Sequence, residues 1–250
     1  MNKYTLITLL CCINLPALAQ TSTFVEKQKR YPRVRKAFAE KESVVRSKFA
    51  KANAVFPPRS IFIRVFKSEK ILELWAKTDR KRMVKIAEYP SCAASGTLGP
   101  KRKEGDEQVP EGFYYIDRFN PRSNFHLSLG INYPNRSDKK FADRARPGSN
   151  IFIHGDCVSI GCVAITDPYI EELYVTAVLA KTNGQKRIPV HIFPRRLDSD
   201  GLGKLKILTS SSPSKWLFWK SLEEPYLYFE KEKKLPKVRI NKAGHYKLKR

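Results

Sequence analysis

The chain of 250 residues carries 48 Lys and Arg against 24 Asp and Glu, a formal charge of +24 at neutral pH. Its 42% hydrophobic and 11% aromatic content excludes global disorder and supports one good-sized domain with appendages. So basic a surface favours polyanions, whether nucleic acid, acidic lipid headgroups or a carboxylate-rich polymer, and charge alone does not choose among them.

Residues 1–19 read as a secretory signal. Lys3 supplies a positive start, Leu6 to Leu15 is apolar apart from Thr8 and Asn14, and Ala17-Leu18-Ala19 is a small-x-small cleavage site before Gln20. The run is shorter than the roughly 20 apolar residues that a permanent span requires. Cys11 and Cys12 follow Leu10 instead of a small residue, which argues against a lipoprotein anchor. No later stretch is long and apolar enough to cross a membrane, so the expectation is a soluble periplasmic protein with no stable membrane anchor and no nucleic-acid partner. Three cysteines remain after the signal, Cys92, Cys157 and Cys162. In an oxidising compartment the odd one is either mispaired or kept free for chemistry.

From Tyr31 to Ala52, the apolar residues Val34, Phe38, Val45, Phe49 and Ala52 fall on one face, predicting a basic amphipathic helix that packs on the domain and stops before Pro57-Pro58. Ser60–Phe66, Ile71–Lys77 and Met83–Tyr89 predict a strand meander. A long loop, Ser95–Pro110, then precedes strands at Gly112–Arg118, Phe125–Tyr133 and Asn150–His154, with a second polar loop over Pro134–Gly148. A helix begins at Thr166-Asp167-Pro168, with Asp167 as its expected cap, buries Ile170, Leu173, Val178 and Leu179, and ends at Asn183-Gly184. Arg187–Phe193 is a last core strand. Past Leu197 a Gly- and Ser-containing stretch, Ser199–Ser214, leads to a helix around Lys215–Leu222 and a strand at Lys237–Ile240. The class is mainly β with α (α+β), divided into a signal (1–19), a basic helical segment (20–58), a core (59–197) and a basic extension (198–250).

The chemistry concentrates in Ile151-Phe152-Ile153-His154-Gly155-Asp156-Cys157-Val158-Ser159-Ile160-Gly161-Cys162-Val163-Ala164. An apolar strand delivers His-Gly, a tight polar loop follows, and Ser-x-Gly-Cys enters a second apolar run. A free thiol titrates near ~8.5, so a nucleophilic cysteine needs a base nearby. Gly161 lets the backbone turn beside the sulfur and is expected to leave N–H groups open to a developing oxyanion. On the residues alone, His154 and Cys162 read either as base and nucleophile or as a structural histidine and a core cysteine. A Cys-Cys-His metal site lacks a fourth ligand at suitable spacing, so no metal and no cofactor is expected.

The segment resembles the active-site signature of the L,D-transpeptidase catalytic-domain (YkuD-type) family, an upstream His-Gly followed by Ser-His-Gly-Cys. Gly105-Asp106 and Pro110-Glu111-Gly112-Phe113-Tyr114 are similar to the family's Pro-x-Gly-x-Phe strand. The resemblance covers about residues 60–195, and the tail after Leu197 resembles that of the YafK-like branch. It implies a β-rich catalytic fold with flanking helices and thioester chemistry on peptidoglycan stem peptides that contain diaminopimelate. It also implies Cys162 as nucleophile, His154 as base and the Gly155 carbonyl orienting the imidazole, with Ser159 and Gly161 completing the signature. Wall-attached lipoprotein is a further implied partner, through hydrolytic relatives in that branch.

Two departures stand out. Ile160 replaces the signature's inner histidine in a short His-to-Cys interval, and Ala164 stands where many members have Arg. Cys157 is the lesser candidate nucleophile, because Ser-x-Gly precedes Cys162; Cys92 and Cys157 either form a disulfide or line the pocket as thiols. Lys101, Lys103 and His126 are candidate substrate contacts. The competing reading is a catalytically inactive basic protein that binds peptidoglycan or the envelope.

Overall fold

The computed structural model describes residues 23–93 and 95–249; the expected secretory signal lies outside them. Two helices come first, α1 (Phe24–Lys29) and α2 (Pro32–Lys51). The sequence reading missed α1, which a capping box starts: the Thr23 hydroxyl accepts from the Glu26 amide while the Glu26 carboxylate accepts from the Thr23 amide. The predicted amphipathic face of α2 is buried through Val34, Ala37, Phe38, Val45 and Phe49.

Eight strands follow: β1 (Ile61–Phe66), β2 (Ile71–Lys77), β3 (Met83–Ala93), β4 (Gly112–Asn120), β5 (Ser128–Ile131), β6 (Phe152–His154), β7 (Val163–Ile165) and β8 (Pro189–Phe193). They close a ring in the order β1-β2-β3-β7-β6-β5-β4-β8, which leaves no strand edge unpaired. Pairing is antiparallel except at β1–β8 and β6–β7. The long strands β3 and β4 turn the corners, each pairing with one neighbour along its first half and another along its second, with a register shift where β3 reaches β7 and another within the β4–β5 pairing.

A short helix, α3 (Asp138–Phe141), interrupts the second polar loop, and α4 (Asp167–Thr182) joins β7 to β8. Helix α4 is buried on nearly every side because α2 covers the face that the strands do not. Ion pairs from Lys41 to Glu171 (3.7 Å) and from Lys48 to Glu172 close the seam between the two helices. The cap differs from expectation. Thr166 is the N-cap residue, and Asp167 instead accepts the Asp156 amide at 2.7 Å, so its carboxylate is spent on the preceding loop.

The tail also differs. Ser199–Ser214 is mostly helical, as α5 (Ser199–Leu208), and α6 extends over Pro213–Glu232, with Pro225 inside it. A hairpin of β9 (Val238–Ile240) and β10 (Tyr246–Leu248) ends the chain. Phe218, Trp219, Leu222, Tyr226 and Phe229 recur at helical spacing along α6 and are all buried. Each such side chain contributes roughly 1.5–3 kcal/mol by burial, enough to fix the extension to the ring. The buried Glu111 carboxylate ties the two together, accepting from Trp219 Nε1 at 2.6 Å and pairing with Lys67 Nζ at 3.0 Å.

Candidate active site

The parallel pairing of β6 with β7 sets the site. Ile153 lies opposite Val163 and His154 opposite Ala164, so the histidine leaves one strand just where Cys162 leads into the other. Both side chains line one cleft of about 700 Å³, with Asn150, Phe152, Phe125 and Arg122 among its walls. His154 is 2% exposed, and its Nδ1 donates to the Gly155 carbonyl at 2.5 Å, which turns the other ring nitrogen away from the main chain. The Phe125 ring leans over the imidazole at 4.8 Å between centroids. Burial lowers the His154 pKa below its ordinary value, partly offset by the Gly155 carbonyl and by Asp156.

Cys162 is the one free cysteine among the described residues, half-buried, with Sγ 4.0 Å from the Asn150 carbonyl. Burial pushes its thiol up, against smaller opposing pulls from the Phe152 amide and the Lys101 charge. Both shifts favour the uncharged forms of the two side chains, imidazole and thiol, that line this cleft. The other two cysteines are joined: Cys92, near the end of β3, forms a disulfide with Cys157.

Ser159 shapes the turn before Cys162. Its hydroxyl donates to the Cys162 carbonyl at 2.8 Å and accepts from the Cys162 and Gly161 amides at 3.1 and 3.3 Å. The expectation of open N–H groups at Gly161 is thus corrected, since the turn closes on this hydroxyl. Gly161 itself has φ +119, and a Cβ there would lie 3.2 Å from the Gln108 carbonyl. Gly155 sits where a Cβ would collide with the Asp167 carboxylate and with Ile170.

The three candidate substrate contacts fare differently. Lys101 lines the cleft, but its ammonium is bonded to Asp106 at 2.6 Å and to the Lys103 carbonyl at 3.0 Å. Lys103 faces a separate cavity between the long loop and α6. His126 is not in a strand: at φ +65 it breaks the expected Phe125–Tyr133 run, and its imidazole turns to Glu171 at 2.8 Å, behind the cleft. What the sequence reading missed is the turn that this creates. Asn120-Pro121-Arg122 is turn-rich and brings Arg122 and Phe125 onto the cleft wall. Ile160, in place of the inner histidine, is 82% exposed and, with Val158 and Phe125, gives the mouth an apolar rim. The described residues contain no His, Cys, Asp or Glu group arranged to hold a metal.

Residues 60–192 match the model of the L,D-transpeptidase catalytic domain. The YafK proteins of Escherichia coli strains K12 and O157:H7 are 34% identical over 182 residues, covering 72% of this chain and 70% of theirs. The chain belongs to the L,D-transpeptidase catalytic-domain family. That membership makes it an L,D-transpeptidase-type, peptidoglycan-modifying enzyme at the level of the family. Among solved structures it is similar to Pgp2, a helical cell shape determining protein from Campylobacter jejuni (20% identity, covering 81% of this chain and 80% of that one, TM-score 0.44). Another is Bd1075 of Bdellovibrio bacteriovorus (23% identity, covering 70% and 64%, TM-score 0.40). The L,D-transpeptidase region begins after α2 and ends in β8, so α1, α2, α5 and α6 are additions around it.

Proposed function

We propose that the protein is an exported, periplasmic enzyme that cleaves an amide on diaminopimelate-containing stem peptides through a thioester on Cys162, with water as the usual acceptor. The observation that carries this reading is one free cysteine and one carbonyl-oriented histidine facing the same cleft, with the other two cysteines among the described residues paired. His154 takes the thiol proton as sulfur attacks the carbonyl carbon. The C–N bond then breaks and the same proton passes to the leaving amine. Water, deprotonated by His154, next attacks the thioester, releasing a carboxylic acid and restoring the thiol.

Hydrolysis is favoured over cross-linking because a transpeptidase must hold a second amine so that it outcompetes water. Ala164, where many relatives have Arg, is fully buried in β7 and offers the cleft no charge. The bond between a wall peptide and the lysine side chain of an attached lipoprotein is the preferred target. Incubating the purified enzyme with sacculi that carry bound lipoprotein tests this by muropeptide analysis. Free lipoprotein without new cross-links is expected; new diaminopimelate-to-diaminopimelate links with lipoprotein still attached would make it a cross-linking enzyme. A thiol-reactive carbapenem should add its mass to the wild-type chain, and an inert Cys162 would favour the binding-protein reading.

A further inference from the structure

Beside the catalytic cleft lies a second groove, of about 770 Å³, built between the added N-terminal helices and the turn at Pro121-Arg122. Its charged lining is Lys27, Arg30, Arg33 and Arg122, with no carboxylate. None of the four forms an ion pair among the described residues, whereas the neighbouring Lys29, Lys36 and Lys41 each do. Glu26, the nearest acid in sequence, is committed to the cap of α1. Concentrating four uncompensated cations in a concave surface is unfavourable unless an anion joins them.

The groove is connected to the chemistry. Arg122 lines both it and the catalytic cleft, and its guanidinium stands 5.2 Å over the Tyr31 ring. Arg33 donates to the carbonyls of Ser123 and His126, at 2.6 and 2.9 Å, and so fastens α2 to the turn that forms the cleft wall. A membrane surface fits poorly as the occupant, because Val34, Phe38, Val45 and Phe49 of α2 are buried and the groove's own lining is mostly charged or polar, with no aliphatic side chain to insert between lipids.

We propose that this groove is a second binding site, for carboxylates of the wall polymer next to the peptide held in the cleft. The proposal rests on the wall-peptide reading above. A peptide entering past Arg122 would leave its neighbouring carboxylates along Arg33, Arg30 and Lys27, so the added helices extend the substrate contact of the catalytic domain.

The test is co-sedimentation of the full mature chain with purified sacculi over a range of salt. Lys27→Glu/Arg30→Glu is compared with Lys206→Glu/Lys234→Glu, exposed lysines elsewhere with the same change in net charge. The groove variant should bind about tenfold more weakly than the control variant, and with a shallower salt dependence. On sacculi whose carboxylates have been amidated, wild type and groove variant should bind alike. Equal weakening in both variants would reduce the effect to net charge and overturn the proposal. So would a loss confined to phosphatidylglycerol vesicles, which would make the site a phosphate surface. Should the double reversal fail to fold, Lys27→Gln/Arg30→Gln removes the charges more gently and is read against the same outcomes. Binding needs no turnover, so a wild-type chain that binds through the groove yet never acylates would sink the enzymatic reading alone.

Discussion

The two loops that wall the cleft are held by different means. The loop carrying Cys162, 155–162, is stapled to β3 by the Cys92–Cys157 disulfide, hung from α4 by the Asp156 amide on Asp167, and drawn closed by Ser159. The facing loop, 95–110, is gathered around one carboxylate: Asp106 accepts the amides of Arg102, Lys103 and Gln108 and the ammonium of Lys101. Burial alone would raise the Asp106 pKa, but these four donors outweigh it and hold it below the usual carboxylate range. The Cys162 loop is thus fixed by a covalent staple, a hydroxyl and one carboxylate contact, while the facing loop is gathered by an ion pair and amide bonds to a single carboxylate, which respond to salt and pH.

The contrast is broken most sharply by Cys162→Ser, which should lower turnover at least about a thousandfold while leaving the melting temperature unchanged. Cys157→Ser should behave in the opposite sense, keeping turnover within roughly tenfold while losing about 2–4 kcal/mol of stability to denaturant. If the two exchanged roles, the nucleophile would be Cys157. Between these in effect on rate comes pH. His154 must be neutral to accept a proton and its pKa is lowered, so kcat/KM should hold down to about 6.5 and fall about tenfold per unit only below its acid limb. A limb above that value would show that another group controls the rate.

The smallest effect belongs to the ionic loop. Asp106→Asn should raise KM several-fold with little change in kcat, and cost about 1–2 kcal/mol by weakening the amide bonds. With a lowered folded pKa, Asp106 stabilises the protein above its unfolded value near ~3.9, and that contribution disappears as pH falls through the folded pKa. Acid melting curves of wild type and Asp106→Asn should therefore converge at low pH. Curves that stay parallel would remove Asp106 from its place at the centre of the loop.

The strands were legible wherever β-branched and aromatic runs met charged turns: Ile71–Lys77 is a strand over the predicted span, and His154 and Cys162 fall where the two apolar runs around the tight loop placed them. Helix α5 was not legible, because Gly201 and Gly203 among serines and aspartates read as linker. In the fold Asp198 caps that helix through the Gly201 amide at 2.8 Å, and a Cβ on Gly201 would strike the Arg196 carbonyl. Helix α6 outran its predicted end because Tyr226 and Phe229 continue its buried face past Pro225. The left-handed His126, the Cys92–Cys157 pairing and the Arg122 wall are tertiary facts; one residue's backbone sign, or the partner of a cysteine, leaves no periodic trace in a chain.

The parallel seating of β6 against β7 sets a limit of length. Parallel neighbours ordinarily need a crossover of a dozen or more residues, yet this chain makes the return in the eight residues 155–162. Eight residues supply a contour of at most about 29 Å, and a path out and back must also retrace strands that rise about 3.3 Å per residue. Strands of three residues each fit within that contour. Every residue added to both would lengthen the path to be retraced and draw the sulfur away from the imidazole before it disturbed the core. The ring is shortest where His154 and Cys162 meet the cleft.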